Sequence, residues 1–194
     1  MSRDNPRVYE TRWKAPMVAA RLLVMLLTDD VVSLSPPREE DAHDVAEAVQ
    51  SSLDTLALWM PWATPDYSVD SARQWMNEAR AAGRHSFLIR DPEGTVVGTC
   101  GLPRADVPNR CTELGYWIGK NHTGRGYATR AGRLVIGHAL DDLEFHRVEI
   151  IVSVQNQPSQ RVAERLGARL EATLTERLDV RGSWHDAFLY AVVA

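Results

Sequence analysis

The residues best suited to carry chemistry lie in one stretch, TELGYWIGKNHTGRGYAT, at positions 112–129. The stretch begins as an alternating run of aromatic and β-branched residues, which predicts a strand. It then passes through Gly124 and Gly126 into apolar residues at helical spacing. Glycines before a helix let several main-chain N–H groups converge on an anion, with help from the helix dipole. The pattern predicts a phosphate or pyrophosphate site, and a tight turn without a ligand is the alternative.

Two familiar phosphate-binding loops do not fit this stretch. No Lys-Ser or Lys-Thr pair follows the second glycine, which excludes a Walker A loop. The three-glycine dinucleotide fingerprint is incomplete, and the glycines lie in the middle of the chain rather than after a first strand. The anion would therefore be bound by a different loop.

Two motifs in this order resemble those of a known family. TGRGYA at 123–128 resembles the acetyl-CoA loop of the GNAT superfamily of N-acetyltransferases, (Gln or Arg)-x-x-Gly-x-(Gly or Ala). NQPSQRVAERLGA at 156–168 resembles the second signature of that superfamily, which begins Asn-x-x-Ser. With ELGYWI at 113–118, the chain is most similar to the RimJ/RimL branch, the ribosomal-protein N-terminal acetyltransferases and their relatives. The resemblance covers about residues 30–193, and two signatures are more specific than one.

The resemblance implies acetyl-CoA as cosubstrate, with its pantetheine arm between two splayed strands, paired with the main chain near Trp117 and Ile118. It implies further cofactor contacts from both motifs, at Thr123, Gly124, Arg125, Gly126, Tyr127, Ala128, Thr129, Asn156, Ser159 and Arg161. Surface solvation is the alternative for each arginine, and a turn-forming role is the alternative for Asn156. Thr123 stands where the superfamily usually has Gln or Arg, which removes one side-chain contact but leaves the main-chain N–H groups.

Acetyl transfer from a thioester to an amine requires an unprotonated amine, a stabilised oxyanion and a proton donor for the thiolate. Glu113 is the first candidate for the base, and a half-exposed surface carboxylate is the alternative. Ser159 is at the signature position where Rim-type relatives place a serine near the cofactor sulfur, which implies the acid; a helix-capping role is the alternative. Cys100 and Cys111 do not adjoin a motif histidine, so we expect direct transfer in a ternary complex.

The acceptor site is expected to involve the aromatic segment 56–63. Trp59 and Trp62 could line a cleft, since aromatic side chains give a large apolar surface, and core packing is the alternative. Glu113 and, by the resemblance, Asp186 are further candidates; a structural role in a hairpin is the alternative for Asp186. The acceptor would be a primary amine, on a protein N terminus or on a small molecule such as an antibiotic or a polyamine. A module that binds acyl-CoA without transferring the group is a third interpretation.

Composition limits the other classes of function. A net charge of −4 and a pI near 5.9 give no general attraction to nucleic acid or to an anionic membrane. The histidines and cysteines lack metal-ligand spacing, so no metal is predicted. Two cysteines without a disulfide pattern are typical of a reduced, cytoplasmic protein. The sequence leaves the oligomeric state open, and a homodimer is compatible with it.

The 194 residues predict one α/β domain with a mixed, mostly antiparallel sheet of six or seven strands and about four helices, as in the GNAT fold. We expect a flexible extension at 1–16 and the acetyltransferase domain at 17–194. Residues 17–27 imitate a short signal peptide, but Arg21 interrupts them, so we expect them to pack on the core.

Local patterns place the other elements. Apolar spacing predicts helices at 39–53 and 68–82, the second capped by Ser68 or Asp70. The turn Asp-Pro-Glu-Gly predicts a hairpin of strands 85–90 and 95–102. The remaining elements are a strand at 147–154, a short helix at 159–166 and a closing hairpin at 170–193.

Overall fold

An eight-stranded, mostly antiparallel sheet forms the centre of the computed structural model, which describes residues 25–194. The strands are β1 Leu27–Thr28, β2 Ser33–Ser35, β3 His85–Arg90, β4 Val96–Asp106, β5 Cys111–Ile118, β6 Arg147–Ser153, β7 Arg169–Val180 and β8 Ser183–Val193. Their order across the sheet is β1-β2-β3-β4-β5-β6-β8-β7. The α/β class is confirmed, but the number of strands is higher than predicted, because the two-residue β1 is too short for a recognisable alternation. The expectations for residues 1–16 and 17–24 lie outside the described residues.

Five α-helices cover the sheet in the described part of the chain. They are α1 Ala42–Gln50, α2 Leu53–Leu56, α3 Val69–Ala81, α4 Tyr127–Gly137 and α5 Gln157–Arg165. The prediction of about four was low because the helix expected at 39–53 divides between α1 and α2, at two serines. Serine side chains compete for main-chain hydrogen bonds, which weakens a helix interior. After Gly137, α4 continues as a π-helical segment, His138–Asp142.

Each face of the sheet carries its own hydrophobic core. One core joins the sheet to α4 and includes Phe87, Ile89, Ala131, Val135 and Val148. The other joins it to α1 and α3 and includes Val45, Val49, Ala72, Met76, Leu88 and Trp117. Adjacent residues of β3 thus enter opposite cores, as the two-residue period of a strand requires. The result is a sheet between two helical layers.

Local patterns in the sequence predicted several elements correctly. The strand predicted at 85–90 is β3, and the turn after it is stabilised by Asp91, whose carboxylate accepts the N–H of Thr95 at 2.8 Å. Ser68 caps α3, as predicted, by accepting the N–H of Ser71 at 3.3 Å. These features depend on neighbours in sequence, which explains why they were predictable.

The parallel strands β5 and β6 separate along their length. They pair only at Cys111–Arg147, Thr112–Val148 and Glu113–Glu149. Beyond Glu113, β5 continues to Ile118 with β4 on one edge and no described strand on the other. This is the splay that the family resemblance implies, and it leaves main-chain groups of β5 facing an opening.

A buried pair of histidines connects β3 to the π-helical segment. His85 Nδ1 lies 3.0 Å from His138 Nε2, and His138 Nδ1 lies 2.8 Å from a carboxylate oxygen of Asp142. Both imidazoles are buried. Burial, together with the neighbouring His138, lowers the pKa of His85 from 6.5 to about 4. The folded state therefore keeps His85 neutral in mild acid.

We expect this pair to make the protein sensitive to acid between about pH 6.5 and pH 4. In that range the unfolded chain binds a proton at His85 and the folded chain does not, so stability falls as the pH falls, by up to about 1.4 kcal/mol per pH unit. Urea unfolding across the range measures the slope. His85→Asn should flatten it, whereas His146→Gln, at an exposed imidazole, should not. An unchanged slope in His85→Asn would contradict the prediction.

Candidate functional site

The glycine-bearing turn between β5 and α4 has the backbone conformation that its sequence predicts. Gly124 has φ 77° and Gly126, the residue before α4, has φ 81°, both in the left-handed region that favours glycine. A Cβ added at either position would meet nothing within 4 Å. The glycines are thus needed for the backbone conformation, and both positions face open space.

The turn presents a continuous run of main-chain donors. Within residues 25–194, no acceptor is hydrogen-bonded to the N–H groups of residues 124–129, and the first such bond in α4 runs from Arg130 to the carbonyl of Gly126 at 3.0 Å. These donors lie at the amino end of an eleven-residue helix, where the helix dipole is positive. The group is suited to an anion with several oxygens, such as a diphosphate.

Neighbouring elements hold the turn in place. The N–H of Gly119 donates to the carbonyl of Val97 at 2.8 Å, which extends the pairing with β4. The N–H of Lys120 donates to the buried hydroxyl of Ser52 at 3.0 Å, and its ammonium group lies 2.9 Å from Asp54. The side chain of Tyr127 is buried in the core under α4. The amides are therefore fixed from both ends of the turn.

Three arginines, Arg125, Arg130 and Arg161, lie in or next to the two motifs. Arg125 and Arg161 are exposed, and no described carboxylate lies within 4.0 Å of either. Arg130 instead lies 2.9 Å from Asp29, in the turn between β1 and β2. The hydroxyl of Thr123 donates to the carbonyl of Lys120 at 2.9 Å. Arg125 and Arg161 thus remain available to an incoming anion.

The second signature lies across the opening from β5. Asn156 precedes α5, and its side-chain oxygen accepts the N–H of Ser159 at 3.2 Å, so Asn156 rather than Ser159 caps this helix. The hydroxyl of Ser159 lies 2.8 Å from the hydroxyl of Tyr116, on the unpaired part of β5. Burial raises the pKa of Tyr116 to about 12, against a smaller lowering by Ser159. The phenol is therefore protonated at neutral pH.

A cavity of about 500 Å³ lies on the α1 and α3 side of β4 and β5. Its strand wall includes Gly115, Tyr116 and Trp117, the part of β5 whose far edge has no partner strand. The ring centroid of Trp62 lies 5.7 Å from that of Tyr67 and 6.1 Å from that of Trp117, so three aromatic rings meet at the cavity. The cavity and the opening therefore share one strand.

The loop that carries Trp62 is held by two distant side chains. The amide of Gln50, in α1, donates to the carbonyls of Pro65 and Tyr67. The guanidinium of Arg181, at the turn between β7 and β8, donates to the carbonyl of Ala63. Although irregular, the loop is tied to a helix and to the last hairpin.

The structure brings some of the predicted acceptor residues together and not others. Trp62 lines the cavity, whereas Trp59 is half-buried outside it.

The predicted carboxylates do not line the cavity. Glu113 lies on the same side of β5 as Trp117, at the last residue paired with β6, but it is not in the cavity lining. Its carboxylate is 3.9 Å from Arg104. Asp186 accepts the N–H of Glu176 at 2.8 Å, within the β7–β8 hairpin, which agrees with its structural alternative.

Sequence reasoning missed several residues of this region. Tyr116 was interpreted only as part of a strand, and its contact with Ser159 joins residues 43 positions apart. One face of α3 lines the cavity with Ser71, Gln74, Trp75 and Glu78. Their helical spacing was a usable signal, since it defines a face beside the core face of Ala72, Met76 and Ala79.

The two thiols are poor candidates for a nucleophile. Cys100 lines the cavity, but it is buried, and burial raises the pKa of its thiol. Cys111 lies at the other end of β5, and burial raises its pKa as well. Both are free. Residues 25–194 contain no group of three or more His, Cys, Asp or Glu suited to a metal ion, and none of their helices is long and apolar enough to cross a membrane.

Comparison with known proteins identifies the family. The model of the acetyltransferase (GNAT) domain matches residues 32–169. YdaF of Bacillus subtilis strain 168, named as a candidate ribosomal N-acetyltransferase, is 33% identical over 160 residues, which cover 79% of this chain and 86% of YdaF. The ribosomal-protein-serine acetyltransferase of Escherichia coli K12 is 31% identical over 99 residues, 51% of this chain and 55% of that protein.

A solved structure agrees with these relatives. Mycobacterium smegmatis RimJ, in complex with CoA-disulfide, superposes with a TM-score of 0.75 at 31% identity, covering 84% of this chain and 82% of RimJ. The family model extends over more than half of the chain, and the fold, the glycine turn and the second signature all agree with it. The chain therefore belongs to the GNAT family of acetyltransferases, and its relatives are of the RimJ/RimL type.

Proposed function

We propose that this acetyltransferase transfers the acetyl group of acetyl-CoA directly to a primary amine, on a protein N terminus or on a small molecule. The observation that carries the proposal is the run of N–H groups of residues 124–129, which have no acceptor among residues 25–194. They lie beside a strand edge that is also unpaired. Anionic and amide groups in one ligand, as in CoA, match these two features.

The residues present fit this cosubstrate. The N–H groups of residues 124–129 would bind its diphosphate, with Arg125 and Arg161 as nearby cations. The main chain near Trp117 and Ile118 would pair with its amides, as a further strand would. When bound, acetyl-CoA supplies an acetyl group activated as a thioester. Because the chain has a net charge of −4, its affinity for this anion must come from such local groups.

The chemistry that remains is the movement of protons. Transfer forms a C–N bond and breaks a C–S bond, while the amine loses one proton and the sulfur gains one. Glu113, at the point where β5 leaves β6, would accept the first proton, directly or through a water. Ser159, hydrogen-bonded to the protonated Tyr116, would donate the second proton to the sulfur. The raised pKa of Cys100 supports direct transfer, since a buried thiol is a weak nucleophile.

The function itself is tested by CoA release with panels of amines. We expect turnover with unblocked peptide N termini or with small primary amines and none with N-acetylated peptides. When both substrates are varied, double-reciprocal plots of the initial velocity should give intersecting lines, as a ternary complex requires. Parallel lines, or an isolated acetyl-Cys100 protein, would contradict direct transfer. No turnover with any amine would refute the function, and acetyl-CoA binding without turnover would favour a module that only binds acyl-CoA.

The turn is tested by placing a negative charge in it. Gly126→Glu should weaken acetyl-CoA binding by about 100-fold or more, because a carboxylate would repel the diphosphate and the left-handed φ of 81° disfavours any side chain. Calorimetric titration measures the affinity.

Gly94→Glu is a matched control for backbone strain. Gly94 has φ 84°, an added Cβ there also meets nothing within 4 Å, and the residue lies in the β3–β4 turn. We expect this variant to bind acetyl-CoA normally. Binding by Gly126→Glu within about threefold of the unmodified protein would show that the diphosphate lies elsewhere.

The proposed acid and base are tested by conservative substitutions. Ser159→Ala and Glu113→Gln should each lower kcat by about 100-fold or more, the usual contribution of a positioned acid or base. Tyr116→Phe should lower kcat less, by about tenfold, because it removes only the hydrogen bond to Ser159. Acetyl-CoA binding should persist in all three.

Three further variants separate chemistry from structure. Ser159→Thr keeps the hydroxyl and should recover most of kcat, and Ser183→Ala, at an exposed serine of β8, should have no effect. Glu113→Asp keeps a carboxylate and should retain more of kcat than Glu113→Gln, which a purely structural role for the side chain would not predict. If kcat is unchanged in Ser159→Ala and Glu113→Gln, these residues are not the acid and the base.

A further inference from the structure

The cavity beside β5 has an uneven distribution of charge. Its described lining includes two carboxylates, Asp66 and Glu78, and no Lys, Arg or His side chain. The whole chain has 22 Lys and Arg residues. In the described part of the chain, no basic side chain lies within 4.0 Å of either carboxylate. The cavity therefore favours a cation over an anion.

Other lining residues reinforce this preference. The amide of Gln74 donates to a carboxylate oxygen of Glu78 at 2.8 Å and so orients it along α3. A hydrogen bond from the side chain of Thr64 lowers the pKa of Asp66, which keeps that carboxylate ionised. The lining also includes five aromatic residues, whose π-systems attract cations: Trp62, Tyr67, Trp75, Tyr116 and Trp117.

The charges lie on one wall only. Asp66 belongs to the loop before α3 and Glu78 to α3 itself. The opposite wall, formed by β4 and β5 next to the unpaired strand edge, contains no charged lining residue: Thr99, Cys100, Gly101, Pro103, Gly115, Tyr116 and Trp117. The acetyl group would be presented at the β5 wall, so Asp66 and Glu78 lie across the cavity from the amine that reacts. The carboxylates are thus better suited to a second positive charge than to the amine that reacts.

We propose that Asp66 and Glu78 select acceptors that carry a second positive charge in addition to the amine that is acetylated. This inference rests on the proposed function. Two sources share the chemistry: a peptide with a basic residue next to its N terminus, and an aliphatic diamine. A volume of about 500 Å³ is within the range of pockets that take small molecules or a few residues.

Matched acceptors isolate the effect of the second charge. Peptides with arginine or citrulline as their second residue have nearly the same shape and differ in charge, and putrescine and butylamine make the same comparison for small amines. We expect kcat/KM to be about tenfold higher for the charged member of at least one pair at low salt. Raising the salt from about 50 mM to about 500 mM should reduce this ratio, since exposed charges are screened.

Variants connect the preference to the cavity. In the double variant Asp66→Asn, Glu78→Gln the ratio should fall to about twofold or less. Glu40→Gln is the control, because Glu40 is an exposed carboxylate outside the cavity and lies 3.6 Å from Arg38. It should keep the ratio of the unmodified protein. Normal acetyl-CoA binding by the double variant would show that it is folded.

The outcomes separate this inference from the proposed function. Turnover with equal kcat/KM for both members of each pair, or a ratio unchanged in the double variant, would overturn the inference and leave the function intact. If no amine is acetylated, the proposed function fails. Calorimetric binding of the arginine and citrulline peptides would then compare the same charges without turnover, and equal affinities would overturn the inference too.

Discussion

After Glu113, β5 separates from β6, and the candidate site lies where the two strands part. Main-chain N–H and C=O groups of a central strand need partners, and the unpaired part of β5 has none in the described sheet. On its other edge β5 is held tightly by β4: a Cβ added at Gly98 would lie 2.1 Å from the carbonyl oxygen of Trp117. β4 thus holds β5 on one side, and we propose that the amides of acetyl-CoA pair with the other side.

Contacts between the surrounding elements hold the two sides of this opening in place. Tyr116 points to the helix that follows β6 and bonds to Ser159, so a hydrogen bond connects the two sides where the main chains no longer do. α4 approaches α5 closely because Gly132 has no side chain, and a Cβ there would lie 2.9 Å from Leu166. This packing sets the direction of α4 and hence the position of the amides at its amino end.

The features predictable from the sequence are those fixed by neighbours along the chain. The bounds of β3, the Asp91 turn, the Ser68 cap and the left-handed glycines follow from local preferences. Contacts between distant segments could not be predicted from the sequence. Tyr116 and Ser159 are 43 residues apart, and His85 and His138 are 53 residues apart. For the same reason, spacing could not separate Trp62, which lines the cavity, from Trp59, since their difference depends on where the loop is tied.

The proposed ligands of this acidic chain have opposite charges, and each is matched by a different kind of group. A diphosphate would be bound mainly by main-chain N–H groups, which require no basic patch and tolerate Thr123 in place of Gln or Arg. A cationic acceptor would be bound by side chains, the carboxylates Asp66 and Glu78 and the aromatic rings. Because the carboxylates are on the wall away from β5, they can attract an acceptor while its reacting amine lies at the β5 wall. The part of β5 that lines the cavity, Gly115 to Trp117, carries no charge and separates the two proposed binding sites.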